Sequence, residues 1–113
     1  MCKYYYTIIL TAPAPQIIKH PVNTTAADPF GAQFSCAANG YGAIEITWRA
    51  EDTKHGIPTK AIITEERSPE SVTSTMFIPD VVLQDEGGYY CSARIGLRSA
   101  LSQTAYLEEI SKY

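Results

Sequence analysis

From residue 16 onward, apolar and polar positions alternate in short runs broken by turn residues. Ala32, Phe34 and Cys36 alternate with Gln33 and Ser35, the period-2 pattern of a half-buried strand. Ile44, Ile46 and Trp48 against Glu45, Thr47 and Arg49 form the clearest alternation in the chain. A short apolar run over 16–20 stops at Pro21, which suits an edge strand. Further strands are predicted over 59–64, 72–78, 87–95 and 102–110. Asp28-Pro29 with Gly31, Asn39-Gly40-Tyr41-Gly42, His55-Gly56-Ile57-Pro58 and Ser68-Pro69-Glu70-Ser71 supply the turns between them. No segment holds a 3.6 period for the length of a helix, and only 81–86 suits a short helical turn. Seven or eight short strands separated by turns describe an all-β sandwich or barrel.

Composition narrows the class. The 113 residues suffice for one hydrophobic core but not two. With 45% hydrophobic and 19% charged residues, the chain is globular rather than disordered. Nine Lys+Arg against 12 Asp+Glu leave a net charge of −3, which argues against a nucleic-acid partner. Seven Gly and 3 Cys exclude collagen and disulfide-dense miniproteins. No run approaches the roughly 18–20 apolar residues that cross a bilayer, so a membrane is expected only through a parent protein.

Residues 1–15 read differently from the rest. An aromatic and β-branched run, Tyr4 to Leu10, follows Lys3 and precedes Thr11-Ala12-Pro13-Ala14-Pro15. It reads as a short leader, a linker or the end strand of a preceding domain. Cys2 lies in this segment and is expected to be a free thiol or a remnant of upstream sequence.

Three residue types then converge. Cys36 and Cys91 fall on different predicted strands 55 residues apart, and Trp48 follows the first by 12. Ahead of Cys91 runs Asp85-Glu86-Gly87-Gly88-Tyr89-Tyr90-Cys91, a D-x-G-x-Y-x-C pattern. With these features, residues 14–110 resemble immunoglobulin-like domains, in particular the intermediate set (I-set) of cell-surface receptors and adhesion proteins. Variable domains usually place the two cysteines further apart. The resemblance implies a Greek-key β-sandwich with one inter-sheet disulfide, Cys36–Cys91, and Trp48 packed against it. It implies that Tyr89 forms a tyrosine corner and that Asp85 and Gly87 shape the turn before it. Closing a loop of this size is worth roughly 4 kcal/mol in the chain-entropy account. Cys91 to Gly96 and Ala105 to Leu107 look like the last two strands. Two positions depart from the pattern: Ile95 stands where Asn is frequent, and Glu109 where an apolar residue normally closes the sheet. The domain is thus expected over 16–110, with 111–113 as a tail.

No constellation for catalysis emerges. His20 and His55 sit beside turn residues without ligands at metal-binding spacing. There is no nucleophile elbow and no glycine-rich phosphate loop. The carboxylate pairs Glu65-Glu66, Asp85-Glu86 and Glu108-Glu109 would point to opposite faces of their strands. The chain is read as a non-enzyme without catalytic residues, metal or small-molecule cofactor.

Binding to protein remains. If Ile46, Trp48, Tyr89, Cys91, Ala105 and Leu107 face inward, then Arg49, Tyr90, Arg94 and Tyr106 face outward on neighbouring strands. Tyr and Arg are enriched at binding hot spots, although the same side chains also serve as ordinary sheet cover. A second candidate is the loop end carrying Tyr41 and Gly96-Leu97-Arg98. Asn23-Thr24-Thr25 is an N-glycosylation sequon. A sugar on Asn23 is expected to cover the amino-terminal edge and leave the Arg49/Tyr90 face open. These features favour an extracellular or cell-surface receptor or adhesion module that binds a protein ligand or its own kind. An intracellular muscle-type structural scaffold domain and a secreted immune-recognition domain are the alternatives.

Overall fold

The computed structural model describes residues 13–26, 30–51 and 56–110. The 1–12 segment with Cys2, His55 and the 111–113 tail lie outside these residues. Nine strands among them build two sheets, together with one 3-10 turn, Leu83–Asp85. The strands are β1 (Gln16–Lys19), β2 (Thr24–Ala26), β3 (Ala32–Asn39), β4 (Glu45–Ala50), β5 (Ile62–Ser68), β6 (Ser71–Ile78), β7 (Gly87–Ile95), β8 (Arg98–Leu101) and β9 (Ala105–Glu109). One sheet has the order β1-β3-β6-β5. The other has the order β2-β9-β7-β4, with β8 also paired to β7. The all-β sandwich expected from the alternation is the observed fold.

The inward set is the predicted one. Phe34, Cys36, Ile44, Ile46, Trp48, Tyr89, Cys91 and Leu107 are buried, with Val72, Met76, Ile78 and Val81. A disulfide joins Cys36 on β3 to Cys91 on β7 across the two sheets, with Cα atoms 6.5 Å apart. In register, Ser74 lies opposite Cys36 on one sheet and Trp48 opposite Cys91 on the other. The Trp48 indole Nε1–H donates to Ser74 Oγ at 2.9 Å. Disulfide and indole bond therefore link the same two pairs of residues, side by side through the core. The Phe34 and Tyr89 rings add a third link across the sheets, with centroids 5.6 Å apart. Ser74 belongs to this group and carries no sequence signal beyond alternation.

Strand boundaries differ from expectation in three places. The amino-terminal edge is two strands: β1 pairs antiparallel with β3, then the chain passes Pro21 and β2 pairs parallel with β9 in the other sheet. The strand expected over 59–64 is β5, Ile62–Ser68, because residues 58–61 close a turn in which the Ala61 N–H donates to Pro58 O. Every residue of β5 is exposed, so it has no alternation to mark its start. The final strand expected over 102–110 is the shorter β9, Ala105–Glu109, and a further strand, β8, precedes it. Arg98, expected in a loop, opens β8, and Gly96-Leu97 forms a two-residue hairpin between Ile95 and Arg98. Gly96 has φ of 58°, a left-handed conformation that glycine adopts without a Cβ clash.

Side chains tie the segment from Ser102 to β9 to its neighbours. Ser102 Oγ accepts the Cys91 N–H, while the Ser102 N–H donates to Cys91 O, both at 2.9 Å. His20 Nδ1 accepts the Gln103 N–H and Asn23 Oδ1 accepts the Tyr106 N–H, again at 2.9 Å. His20 therefore works as a hydrogen-bond acceptor within the fold. Glu109, where an apolar residue was expected, is only 8% exposed. Its N–H donates to Glu86 Oε2, so the sheet runs on to this residue.

Candidate functional site

The outer face of the β4-β7-β9 sheet carries the side chains that the alternation turned outward. β4 and β7 pair antiparallel over six positions, with Arg49 opposite Tyr90 and Glu45 opposite Arg94. β9 pairs with the start of β7, with Tyr106 opposite Gly88. Arg49 and Arg94 are exposed, Tyr90 is half-buried and Tyr106 is 51% exposed. The four predicted residues thus occupy one face, with Tyr90 between Arg94 and the Tyr106 end.

Two contacts modify that picture. Arg94 Nη2 donates to Glu45 Oε1 at 2.7 Å, so this guanidinium presents itself as half of an exposed ion pair. At the other end, Tyr106 Oη donates to Glu51 Oε1 at 2.9 Å and Thr104 Oγ1 donates to Glu51 Oε2 at 3.2 Å. The Glu51 N–H donates to Gly88 O, so the backbone of this residue is tied to β7 while its carboxylate is held by two hydroxyls. Gly88 makes room for the cluster: a Cβ there would lie 2.6 Å from Thr104 Cγ2 and 3.0 Å from Tyr106 Cε1. Glu45 and Glu51 are acidic partners of these side chains that the search for Tyr and Arg missed. The outward alternation of β4 marked Glu45, whereas Glu51 lies just beyond the strand.

Tyr41 lies in the β3–β4 loop and is 76% exposed. The Ile95 side chain packs against both Gly40 and Gly42, which brings this loop to the β7–β8 hairpin. Leu97 at the hairpin tip is fully exposed. A shallow groove lined by Ala43, Ile44, Glu45, Arg67, Arg94 and Gly96 joins this end to the Arg94 end of the sheet face. Tyr41 and the hairpin therefore share one end of the sandwich, as expected, but Arg98 belongs to β8.

The signature residues before β7 form a buried support behind the face. Tyr89 Oη donates to Asp85 O at 2.6 Å, the contact expected of a tyrosine corner. Burial, reinforced by the negative charge of Asp85, pushes the Tyr89 hydroxyl up to about 12 from 10.0. Asp85 Oδ2 accepts the Val82 N–H at 2.9 Å and pairs with Lys60 Nζ at 2.8 Å. Lys60 also donates to Asp80 O at 2.7 Å, tying the residues before β5 to the turn before β7. Nothing local in the sequence points to Lys60 as the partner of a carboxylate 25 positions on.

Asn23 stands beside the face rather than apart from it. Its carboxamide oxygen holds the Tyr106 N–H, and both residues line a groove with Thr24, Thr25, Glu86 and Glu108. A sugar on Asn23 would therefore stand next to Tyr106 as well as at the amino-terminal edge. Among the described residues, no three His, Cys, Asp or Glu side chains are grouped to hold a metal ion. None of the described helices is long and apolar enough to cross a membrane.

A family model described as "Immunoglobulin domain" matches residues 14–94. No match is found among curated protein sequences. Among solved structures, the Dpr2 Ig1-Ig2 complex with DIP-Theta Ig1-Ig3 aligns with a TM-score of 0.75 at 23% identity, covering 88% of this chain and 33% of that one. Tandem Ig repeats of Dlar align at 0.72 and 26%, covering 89% and 50%. A chimeric titin Z1Z2 aligns at 0.72 and 19%, covering 90% and 50%. The chain spans a third to a half of the length of these structures.

Proposed function

The chain belongs to the immunoglobulin domain family, and we propose that it is a non-catalytic, protein-binding module of an extracellular receptor or adhesion protein, of the intermediate set. The observation that carries this reading is the outer face of β4-β7-β9, where Arg49 and Tyr90 lie directly opposite and Arg94 and Tyr106 flank them. A wide, shallow sheet face with aromatic and guanidinium side chains suits a protein partner better than a small molecule, which calls for an enclosed cavity. The Cys36–Cys91 disulfide supports an oxidising compartment. The Dpr2–DIP-Theta structure supports the same class, being a complex between proteins with this fold.

The titin likeness favours a second reading, an intracellular structural scaffold domain of the muscle type. The secreted immune-recognition reading has the shorter cysteine spacing against it. Thiol mass spectrometry of natively expressed protein separates location: a bridged Cys36–Cys91 is expected, and two reduced thiols would exclude the extracellular reading. The binding face is tested by a combined Arg49→Ala, Arg94→Ala variant. Its partner affinity should fall at least about tenfold while folding is retained, because hot-spot truncations cost upward of about 1–2 kcal/mol each. Full affinity in the folded double variant would remove the sheet face from the proposal.

A further inference from the structure

We propose that Asn23 is an N-glycosylation site whose glycan lies over the Tyr106 end of the outer sheet face, confining a protein partner to the Arg49–Tyr90–Arg94 end. The inference rests on the secreted, protein-binding reading and narrows its site.

The argument begins with the sequon Asn23-Thr24-Thr25, in which the first and third residues flank one position of extended chain. Both Asn23 and Thr25 are exposed. In register, Thr25 lies beside Glu108 on β9, and Asn23 leads the strand toward Tyr106. The decisive contact is Asn23 Oδ1 accepting the Tyr106 N–H at 2.9 Å. That bond uses the carboxamide oxygen and leaves the nitrogen to carry a sugar.

The chemistry is compatible with this contact. A lipid-diphosphate-linked oligosaccharide supplies the sugar: the amide nitrogen forms a bond to the anomeric carbon, and the sugar–phosphate bond breaks. The lipid diphosphate leaves with the displaced electron pair, and one amide proton is transferred to it. The product is still an amide with its oxygen intact. The Tyr106 N–H can therefore hold Oδ1 after modification as before, and the first sugar is fixed against β9. Asn23, Thr25, Tyr106 and Glu108 already line one groove, so the sugar enters a surface where Tyr106 is a wall. β4, which carries Arg49, lies three strands from β2, roughly 14 Å away at about 4.8 Å per strand. The glycan stem thus contacts one end of the face while the Arg49 end stands clear of it.

The test uses the full chain secreted from eukaryotic cells behind an added leader, compared with Thr25→Ala. That variant removes the sequon but keeps Asn23 and its bond. A second reference, Asn23→Asp, keeps an acceptor oxygen for the Tyr106 N–H. Intact-mass and peptide mapping should place a glycan on Asn23 in the wild type and in neither variant. Hydroxyl-radical labelling of Tyr106 should be several-fold lower in the glycosylated protein than in both variants, with Tyr41 labelled equally in all three. An unmodified Asn23 in folded, secreted protein, or equal labelling of Tyr106, would overturn the proposal. Neither readout involves a partner, so failure here is distinct from failure of the Arg49/Arg94 test.

Discussion

The centre of the sandwich and its amino-terminal seam are held by different means. At the centre, β3 pairs with β6 over eight positions and β4 with β7 over six, and a disulfide, an indole bond and an aromatic pair cross between the sheets. At the seam, β2 and β9 share three register positions, and the neighbouring contacts use side chains in place of backbone carbonyls. His20, Asn23, Ser102 and Glu86 each accept one main-chain N–H there or beside it. The centre is redundant, because losing one ladder bond leaves many others. The seam depends on individual residues, so a single substitution can undo a pairing.

The largest expected effect lies in the centre. Replacing both Cys36 and Cys91 by Ala removes the bridge, and chemical denaturation should register a loss of roughly 4 kcal/mol. A loss below about 1 kcal/mol would mean that the Trp48–Ser74 bond and the packing around it maintain the sheets by themselves.

The seam is tested next by Ser102→Ala. The buried Cys91 N–H loses its acceptor, and unfolding free energy should fall by about 1–3 kcal/mol. Hydrogen exchange should accelerate at Cys91 more than at Trp48 on the neighbouring strand. Equal acceleration at both would show that the loss spreads through the β4–β7 ladder instead of staying at the one N–H that Ser102 accepts.

Tyr89 connects the two regions and carries a pH signature. Tyr89→Phe removes the bond to Asp85 O and should cost about 1 kcal/mol at neutral pH. In the wild type the folded hydroxyl titrates near 12 rather than 10.0, because ionisation would place charge in the core beside Asp85. The protonated form is therefore favoured by folding. Its contribution is complete below pH 10.0 and is lost as pH rises toward about 12. Phenolate absorbance and circular dichroism followed together should show an ionisation step at about 12 that Tyr89→Phe lacks, and the variant should flatten this part of the stability profile.

The smallest effect belongs to the exposed face. Glu45→Gln breaks the ion pair with Arg94, and stability should change by less than about 1 kcal/mol, with the difference vanishing in high salt. A larger, salt-independent loss would show that the outer face contributes to folding as the seam does.

The same contrast explains what could be read from the chain. Cys36, Trp48, Tyr89 and Cys91 were legible because strands of the centre bury one face and so leave period-2 alternation. Their outward neighbours Arg49, Tyr90, Arg94 and Tyr106 followed by the same rule. β2 was not legible: three residues are too few for a pattern, and their partners on β9 lie more than eighty positions later. β5 was displaced because an edge strand exposed on both sides has no alternation to read. The roles of Glu51, Lys60 and His20 were not legible for another reason. Their roles depend on contacts between distant segments, and no local spacing encodes those contacts.

Strand β5 has a further consequence, for the solution behaviour of the protein. It is an edge strand, exposed throughout, and it begins with the β-branched pair Ile62-Ile63. Such an edge offers open hydrogen-bonding groups to any second chain and is a common origin of aggregation. Here the apolar half gives way to Glu65-Glu66-Arg67, with Arg67 held by Glu65 at 3.0 Å. Docking of two copies edge to edge through this half would bring the acidic pairs of both together and force charged groups out of water. The same strand that lacks a pattern for the reader thus places its charged residues where two copies pairing edge to edge would meet.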